Sequence, residues 1–215
     1  MASPTPLRSD SLKTRARMLD VARRLFAQRG IDATPLHEIA RAAGQRNNSA
    51  VPYHFGDKEG VLRSIIGVHA LELDAERLRL LDALPAGNRV QLRQLIDILV
   101  RPLATQLDTR RGLEYLRVTV QLISHPTYPL MSFDASWDLE GVRRLTQLLR
   151  AKLPEVTDAV ADARITLLLS MLLNGVLRLA DFKGRQREAQ LENLIDCVES
   201  LLTAPVSRAT KARLA

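Results

Sequence analysis

Apolar residues recur every three or four positions along most of this 215-residue chain. The spacing begins at Met18, Ala22, Leu25 and Phe26, and it is the pattern of a helix that buries one face. Leucine and alanine dominate the composition and aromatic residues make up only 4%, which favours helices over sheets. The chain is therefore predicted to be an all-α protein.

Glycines and prolines divide this pattern into about nine helices, since both residues interrupt helical backbone. Gly30, Gly44 and Pro85 mark the ends of three predicted helices, and Pro102 should kink or end another. A loop is predicted over 125–129, where two prolines lie close together. The predicted helices cover 11–28, 35–42, 49–55, 58–84, 88–107, 111–124, 135–151, 157–181 and 187–203.

The two ends of the chain lack apolar periodicity. We therefore predict a disordered arm over 1–10 and a basic disordered tail over 205–215. Between them we predict a three-helix unit over 11–56, a long linking helix over 57–85 and a helical bundle over 86–204.

Two helices near the C-terminus point to a partner subunit. The helix over 157–181 is apolar around nearly its whole circumference, so it should be buried on every side. It lies either in the middle of the domain or between its own core and a second subunit, and we favour the second alternative because two-fold dimers are the commonest oligomers. The residues predicted at this interface are Leu168, Leu172, Leu191, Leu194, Ile195 and Val198.

Few residues are available for catalysis or metal binding. The single cysteine, Cys197, excludes an intramolecular disulfide and a cysteine-based zinc cluster, and its leucine-rich surroundings favour a buried, inert thiol. Four scattered histidines without a glycine-rich phosphate loop leave no catalytic set. We expect no enzyme activity, no cofactor and no metal.

The sequence favours a cytoplasmic protein that is not embedded in a membrane. Its start lacks the apolar core of a signal peptide. The densest apolar run, over 165–180, is interrupted by Asn174 and Arg178 and is short for a membrane span.

Positive charge is concentrated at the two ends of the chain. The net charge is +7, of which residues 1–30 carry +5 and residues 205–215 carry +3. Such a run is often only a solvated face, but next to a nucleic-acid-binding motif it would speed the approach to phosphate groups.

A helix, a glycine stop, a second helix, a polar turn and a third short helix follow one another over residues 11–56, as in a helix-turn-helix motif. The third helix would then enter the DNA major groove, N-terminus first. The residues expected to reach base edges are Arg46, Asn47, Asn48 and Ser49. Arginine can bind guanine O6 and N7, and asparagine can bind adenine N6 and N7. Asn48 is equally well explained as a turn or cap residue.

The same segment resembles the TetR/AcrR family of bacterial regulators. The resemblance is carried by Arg17, Met18, Leu19, Ala22, Leu25, Phe26, Gly30, Thr34, Ile39, Ala40, Gly44, Tyr53, His54, Phe55 and Lys58. It implies phosphate contacts from Thr34, Tyr53, His54 and Lys58, whose hydroxyl, imidazole and ammonium groups can bind an anion. For His54 a place in the core is the alternative, and Phe55 is expected to be buried.

Two features depart from the family pattern. The stretch from Gly44 to Phe55 is one residue longer than usual, and Pro52 lies inside a very short helix. Proline is tolerated in the first turn, where the backbone N–H has no partner within the helix. If Ser49 is the cap, Pro52 is the third helical residue and 45–48 form an extended turn.

The resemblance further implies that 86–204 form a ligand-binding and dimerisation domain. The expected function is that of a homodimeric repressor, released from a palindromic DNA operator by a small, largely apolar effector. An activator or an effector-independent DNA-binding protein of the same fold is the alternative. Asn174 would bind a ligand, a backbone carbonyl or its symmetry mate. The candidate pocket residues are Tyr115, Leu122, His125, Tyr128, Phe133, Trp137 and Asn174.

Overall fold

The computed structural model describes residues 6–85, 90–133, 138–153 and 156–214. Over these ranges the regular structure is entirely helical, which confirms the predicted all-α class. Short 3₁₀ turns follow α5 and α8 and lie in the loop after α6, at Gln106–Asp108, Leu179–Asp181 and Leu130–Ser132. The helices are α1 Pro6–Arg29, α2 Leu36–Ala42, α3 Ala50–Phe55, α4 Lys58–Asp82, α5 Leu92–Thr105, α6 Arg110–Leu122, α7 Glu140–Arg150, α8 Asp158–Arg178, α9 Gly184–Thr203 and α10 Arg208–Leu214.

The helical ends differ from the prediction at both termini. α1 begins at Pro6, within the predicted arm, because proline fits the first turn of a helix; the first five residues of that arm lie outside the described ranges. The predicted tail contains α10, whose first turn is capped by the Ser207 hydroxyl accepting from the Thr210 N–H at 3.1 Å. Pro102 does not end α5, which continues to Thr105.

The helices divide into two compact units. The first contains residues 1–69 and 114–136, and the second contains 70–113 and 137–215. This corrects the predicted division in chain order, because most of α6 and the following loop belong with the N-terminal helices. α4 and α6 each contribute residues to both units.

The first unit is closed by apolar packing and by polar contacts between α1 and α6. The Arg23 guanidinium and the Glu114 carboxylate are both nearly buried and lie 3.2 Å apart. The Gln121 amide accepts from the Ile31 N–H at 3.0 Å and donates to the Phe26 carbonyl at 3.1 Å. The apolar core includes Met18, Phe26, Ile39, Leu62, Ile65, Leu116, Leu122 and Phe133.

The second unit is built mainly from α5, α8 and α9. Gly175 allows α8 to approach α9, since a Cβ atom there would meet the Leu194 Cδ1 at 2.6 Å. The Asp74 carboxylate holds the start of α7 by accepting from the N–H groups of Gly141 and Val142, at 2.9 and 2.8 Å. Cys197 is exposed on α9, contrary to the expected buried thiol: it lies outside the apolar stripe of that helix.

Candidate nucleic-acid interface

The turn between α2 and α3 presents polar side chains to solvent. Gly44 has a φ of +76°, a left-handed conformation that favours glycine and turns the chain out of α2. Arg46, Asn47, Asn48 and Ser49 are all exposed at the surface, whereas the preceding Gln45 is half-buried. These four residues are therefore available for base contacts, and their base-reading role remains a prediction.

Asn47, not Asn48, provides the turn chemistry of this segment. Its Oδ1 accepts from the Ser49 N–H at 2.9 Å, and its carbonyl accepts from the Ala50 N–H at 3.1 Å. Ser49 occupies the cap position of α3, although its hydroxyl makes no cap hydrogen bond. The Asn47 amide oxygen is thus already engaged, whereas Asn48 is exposed next to it.

The position of Pro52 in α3 agrees with the prediction made for a helix capped by Ser49. The helix begins at Ala50, so Pro52 is its third residue and leaves no helical hydrogen bond unmade. The Tyr53 N–H donates to the Ser49 carbonyl at 2.9 Å and closes the first turn. Val51 is the one residue of α3 that is buried.

The predicted phosphate-contacting residues differ in accessibility. The Tyr53 side chain is 83% exposed, and the half-buried His54 ring packs edge-on against it at 5.1 Å. Lys58 is half-buried, and its Nζ donates to the Ile31 carbonyl at 2.9 Å. An ammonium group has two further N–H donors, so a phosphate contact from Lys58 remains a prediction.

The predicted phosphate contact of Thr34 is corrected by the structure. The residue is completely buried, and its hydroxyl donates to the Gly30 carbonyl at 2.8 Å. α2 begins at Leu36 with Pro35 as its cap, one residue later than predicted. The hydroxyl therefore closes the connection between α1 and α2 and does not face solvent.

Phe55 is half-buried and not part of the core, contrary to the prediction, and an arginine side chain covers its ring. The Arg15 guanidinium lies 4.8 Å from the Phe55 ring centroid, and its Nη2 donates to the Ser64 hydroxyl at 3.1 Å. Arg17 lies beside Gly44, with a guanidinium nitrogen 3.4 Å from where a Cβ atom would be. The sequence predicted a specific contact for neither arginine: Arg15 was only one of the basic residues of α1, and Arg17 was only a match to the family pattern.

Comparison with known proteins places this segment in a family. The model of bacterial regulatory proteins of the tetR family matches residues 18–65, from α1 into α4. The HTH-type transcriptional regulator AcrR of Shigella flexneri is 29% identical over 118 residues, which are 55% of this chain and 51% of AcrR. The uncharacterized HTH-type transcriptional regulator TtgW of Pseudomonas putida is 37% identical over 68 residues, 31% of this chain and 50% of TtgW.

The whole fold has a counterpart among solved structures. NalD of Pseudomonas aeruginosa, the secondary repressor of the MexAB-OprM multidrug efflux pump, matches with a TM-score of 0.60 and 25% identity. The match covers 92% of this chain and 100% of NalD. The segment over 18–65 is therefore a domain of the tetR family.

The sequence match to TetR-family relatives is partial. The chain covers about half the length of the curated relatives AcrR and TtgW, at 51% and 50%. TetR-family regulators are non-enzymatic transcription factors, which agrees with the expectation that this chain is not an enzyme.

The candidate effector-binding residues of this chain belong to different units. In the first unit, Tyr115 is buried and stacks on His69 at 4.2 Å, while Leu122 and Phe133 are completely buried. The His125 Nδ1 accepts from the N–H groups of Thr127 and Tyr128, both at 3.2 Å, so this imidazole shapes the loop.

Two members of the pocket set are not among the described residues of the first unit. Asn174 belongs to the second unit and is exposed on α8 rather than buried. Its amide donates to the Ser170 carbonyl at 2.9 Å, which is one of the three alternatives considered for it. Trp137 lies outside the described residues.

Most of the predicted interface residues belong to the core of the second unit. Leu172, Leu191, Leu194, Ile195 and Val198 are buried, because they face the neighbouring helices of the same chain. Their assignment to the surface of an interface is therefore corrected, while Leu168 is half-buried.

The accessible apolar side chains of α8 are different ones. Leu167 is 58% exposed and Ile165 36% exposed. α8 and its 3₁₀ turn, Asp158–Asp181, are long and apolar enough to cross a membrane by length and composition, with 17% of that window buried. This helix is longer than the apolar run over 165–180 that the sequence analysis considered. Core helices of soluble proteins also meet these criteria of length and composition, so the helix is weak evidence for a membrane span.

Proposed function

We propose that this chain is a homodimeric transcriptional repressor that binds a palindromic DNA operator and is released by a small, largely apolar effector. The observation that carries the proposal is the accessible polar turn at Arg46, Asn47, Asn48 and Ser49, which leads directly into α3. In a helix-turn-helix protein the start of the second helix of the motif approaches base edges.

Base recognition is assigned chiefly to Arg46 and Asn48. Arg46 can donate two hydrogen bonds to guanine O6 and N7, and an asparagine amide can pair with adenine N6 and N7. Asn48 is the better reader of adenine, since the Asn47 amide oxygen already accepts from Ser49. The exposed Tyr53 phenol, with His54 and Lys58, is proposed to hold the flanking phosphates.

Dimerisation is proposed through the side of α8 that carries Leu167. Leu167 exposes a large aliphatic side chain to solvent, and a second copy would bury it. Two copies related by a two-fold axis would read two half-sites about 34–36 Å apart, or a multiple of that spacing. A palindromic operator follows from this symmetry.

Repression is proposed from a relative, and release by an effector from the family resemblance. NalD, at 25% identity, is the secondary repressor of an efflux pump. An effector can release DNA only if it binds the DNA-free arrangement more tightly, and only by that difference in affinity. The apolar character of the effector is proposed from the composition of the chain, 46% of which is hydrophobic. An activator or an effector-independent DNA-binding protein of the same fold is the alternative.

Selection of bound fragments from random-sequence duplexes tests the proposal. We expect one inverted repeat, bound by two chains as measured by the mass of the complex in solution. A reporter gene downstream of that repeat should be silenced when the protein is expressed. Recovery of no preferred sequence would contradict the proposal, and a reporter that is switched on would favour the activator.

A further inference from the structure

The orientation of α3 is weakly determined by its own packing. The helix has only six residues, and Val51, near its N-terminus, is the only one of them that is buried. A short helix with one buried side chain can still rotate about that anchor. A second contact at the other end of α3 is therefore needed to fix its direction.

The far end of α3 is held by groups from two other helices. Phe55, the last residue of α3, lies under the Arg15 guanidinium of α1, 4.8 Å from ring centroid to Cζ. The same guanidinium donates from Nη2 to the Ser64 hydroxyl of α4 at 3.1 Å. Ser64 in turn donates to the Gly60 carbonyl at 2.8 Å, so its oxygen has a defined direction toward Arg15.

The backbone of α4 also touches this end of α3. A Cβ atom on Gly60 would lie 1.9 Å from the Phe55 carbonyl oxygen, so only glycine allows this approach. The Gly60 N–H donates to the Asp57 Oδ1 at 2.8 Å, which caps α4. The backbone contact fixes how close α3 and α4 come, and the Arg15 side chain covers the ring beside it.

We propose that Arg15 is a positioning residue for the reading helix, joining α1, α3 and α4 at Phe55 and thereby setting the angle at which α3 meets the bases. The proposal rests on the proposed DNA-binding function. A planar guanidinium can stack on an aromatic face while its edge donates hydrogen bonds, whereas the compact ammonium of lysine cannot do both. The identity of the residue is required, and its charge alone is insufficient.

The competing role for Arg15 is a direct phosphate contact. Removing a phosphate contact weakens binding to all sequences alike and lowers the salt slope by about 0.9. Loss of positioning instead lowers affinity for the selected operator, while affinity for random duplex and the salt slope stay unchanged. The ratio of operator to random-duplex affinity therefore separates the two roles.

The experiment compares two variants that keep the charge, Arg15→Lys and Phe55→Leu, with Lys13→Gln as a control that removes one charge from an exposed position of α1. Arg15→Lys should lower operator affinity about three- to tenfold, with random-duplex affinity and salt slope unchanged. Phe55→Leu should cause a similar loss, and the double variant should be no worse than either single one. Lys13→Gln should leave the operator-to-random ratio unchanged.

Stability and the proposed function are checked separately. Melting temperatures confirm that each variant is folded. If Phe55→Leu is unfolded, Ser64→Ala replaces it, because it removes the hydrogen bond to Arg15, together with the one to the Gly60 carbonyl, and leaves the Phe55 ring in place. Full operator affinity in Arg15→Lys, or additive losses in the double variant, would overturn the inference. If the unmodified protein selects no operator, the proposed function fails, and Arg15 then has no reading helix to position.

Discussion

The Thr34 hydroxyl stabilises the connection between α1 and α2 by donating to the Gly30 carbonyl at 2.8 Å. Thr34→Val keeps the shape of the side chain but leaves that carbonyl without its donor. We expect a loss of about 1 kcal/mol in the free energy of unfolding, measured by urea denaturation, because a buried polar group would lose its partner. Thr34→Ser retains the hydroxyl and should lose less.

The same variant tests the corrected role of Thr34. Because the residue is completely buried, the salt slope of operator binding should not change in Thr34→Val. A salt slope smaller by about 0.9 would show instead that Thr34 contacts a phosphate, as the family resemblance implies.

Single residues were predictable from sequence where the rule is local. The position of Pro52 and the cap at Ser49 follow from the geometry of a first helical turn, and both are observed. The burial of Thr34 and the stacking of Arg15 on Phe55 depend on neighbours distant in the chain, which a motif does not reveal.

At the scale of single helices, the start of α7 depends on one carboxylate. Asp74 is 4% exposed and accepts from the N–H groups of Gly141 and Val142. Asp74→Ala should lower the free energy of unfolding by about 1–3 kcal/mol, since two N–H groups at the start of a helix would lose their acceptor. Asp82→Ala, which removes an exposed carboxylate paired with Arg144, is the matched control and should cost much less. Equal losses in the two variants would contradict this role.

α5 and α9 are joined by ion pairs that centre on Glu192. Its carboxylate lies 2.6 Å from Arg93 and also contacts Arg101. The hydrogen bond from Arg93, with a second from Arg101, lowers the pKa of Glu192 from its ordinary value of 4.5. A lowered pKa means that the stabilisation is present above pH 4.5 and is lost as the pH falls through the lower folded-state value.

Glu192→Gln should therefore change the acid response of the protein. The melting temperature of the parent should fall more steeply than that of the variant as the pH drops below 4.5 and through the lower folded-state value. Scanning calorimetry at several pH values measures this difference, and Glu188→Gln, an exposed partner of Arg101 alone, is the comparison. Parallel curves for parent and Glu192→Gln would show that the network adds no pH-dependent stability.

The helices themselves were largely predictable, but their ends were not. The periodicity predicted the bounds of α2, α3, α8 and α9 to within a few residues, because apolar residues recur along each of them. α10 lacks that signal and depends on a local cap at Ser207. Composition alone made it resemble a disordered tail.

At the scale of the whole molecule, the proposed dimer predicts a specific sensitivity on α8. Leu167→Glu adds a charge to a side chain that is 58% exposed, so the chain should remain folded. It should sediment as a monomer and bind the operator weakly, because a buried unpaired charge opposes association. Gln147→Glu adds the same charge to an exposed position of α7 and should leave the mass unchanged. If the Leu167→Glu variant stays dimeric, the dimer interface does not include Leu167.

The grouping of helices into units could not be inferred from chain order. Residues 114–136 belong with the N-terminal helices, although a long stretch of chain separates them. Arg23 and Glu114 are 91 positions apart, and no sequence pattern indicates that they pair. By contrast, the all-helical class and the accessible turn before α3 depend on local patterns and were predictable.

The hydrogen bonds of Gln121 limit how α6 can move relative to the end of α1. Its amide serves the Ile31 N–H and the carbonyls of Phe26 and Arg117 together. Sliding α6 by a single position would leave the first two of these backbone groups without partners, at a cost of about 1–3 kcal/mol for each buried group. A displacement of α6 that keeps these hydrogen bonds therefore has to carry the end of α1 with it.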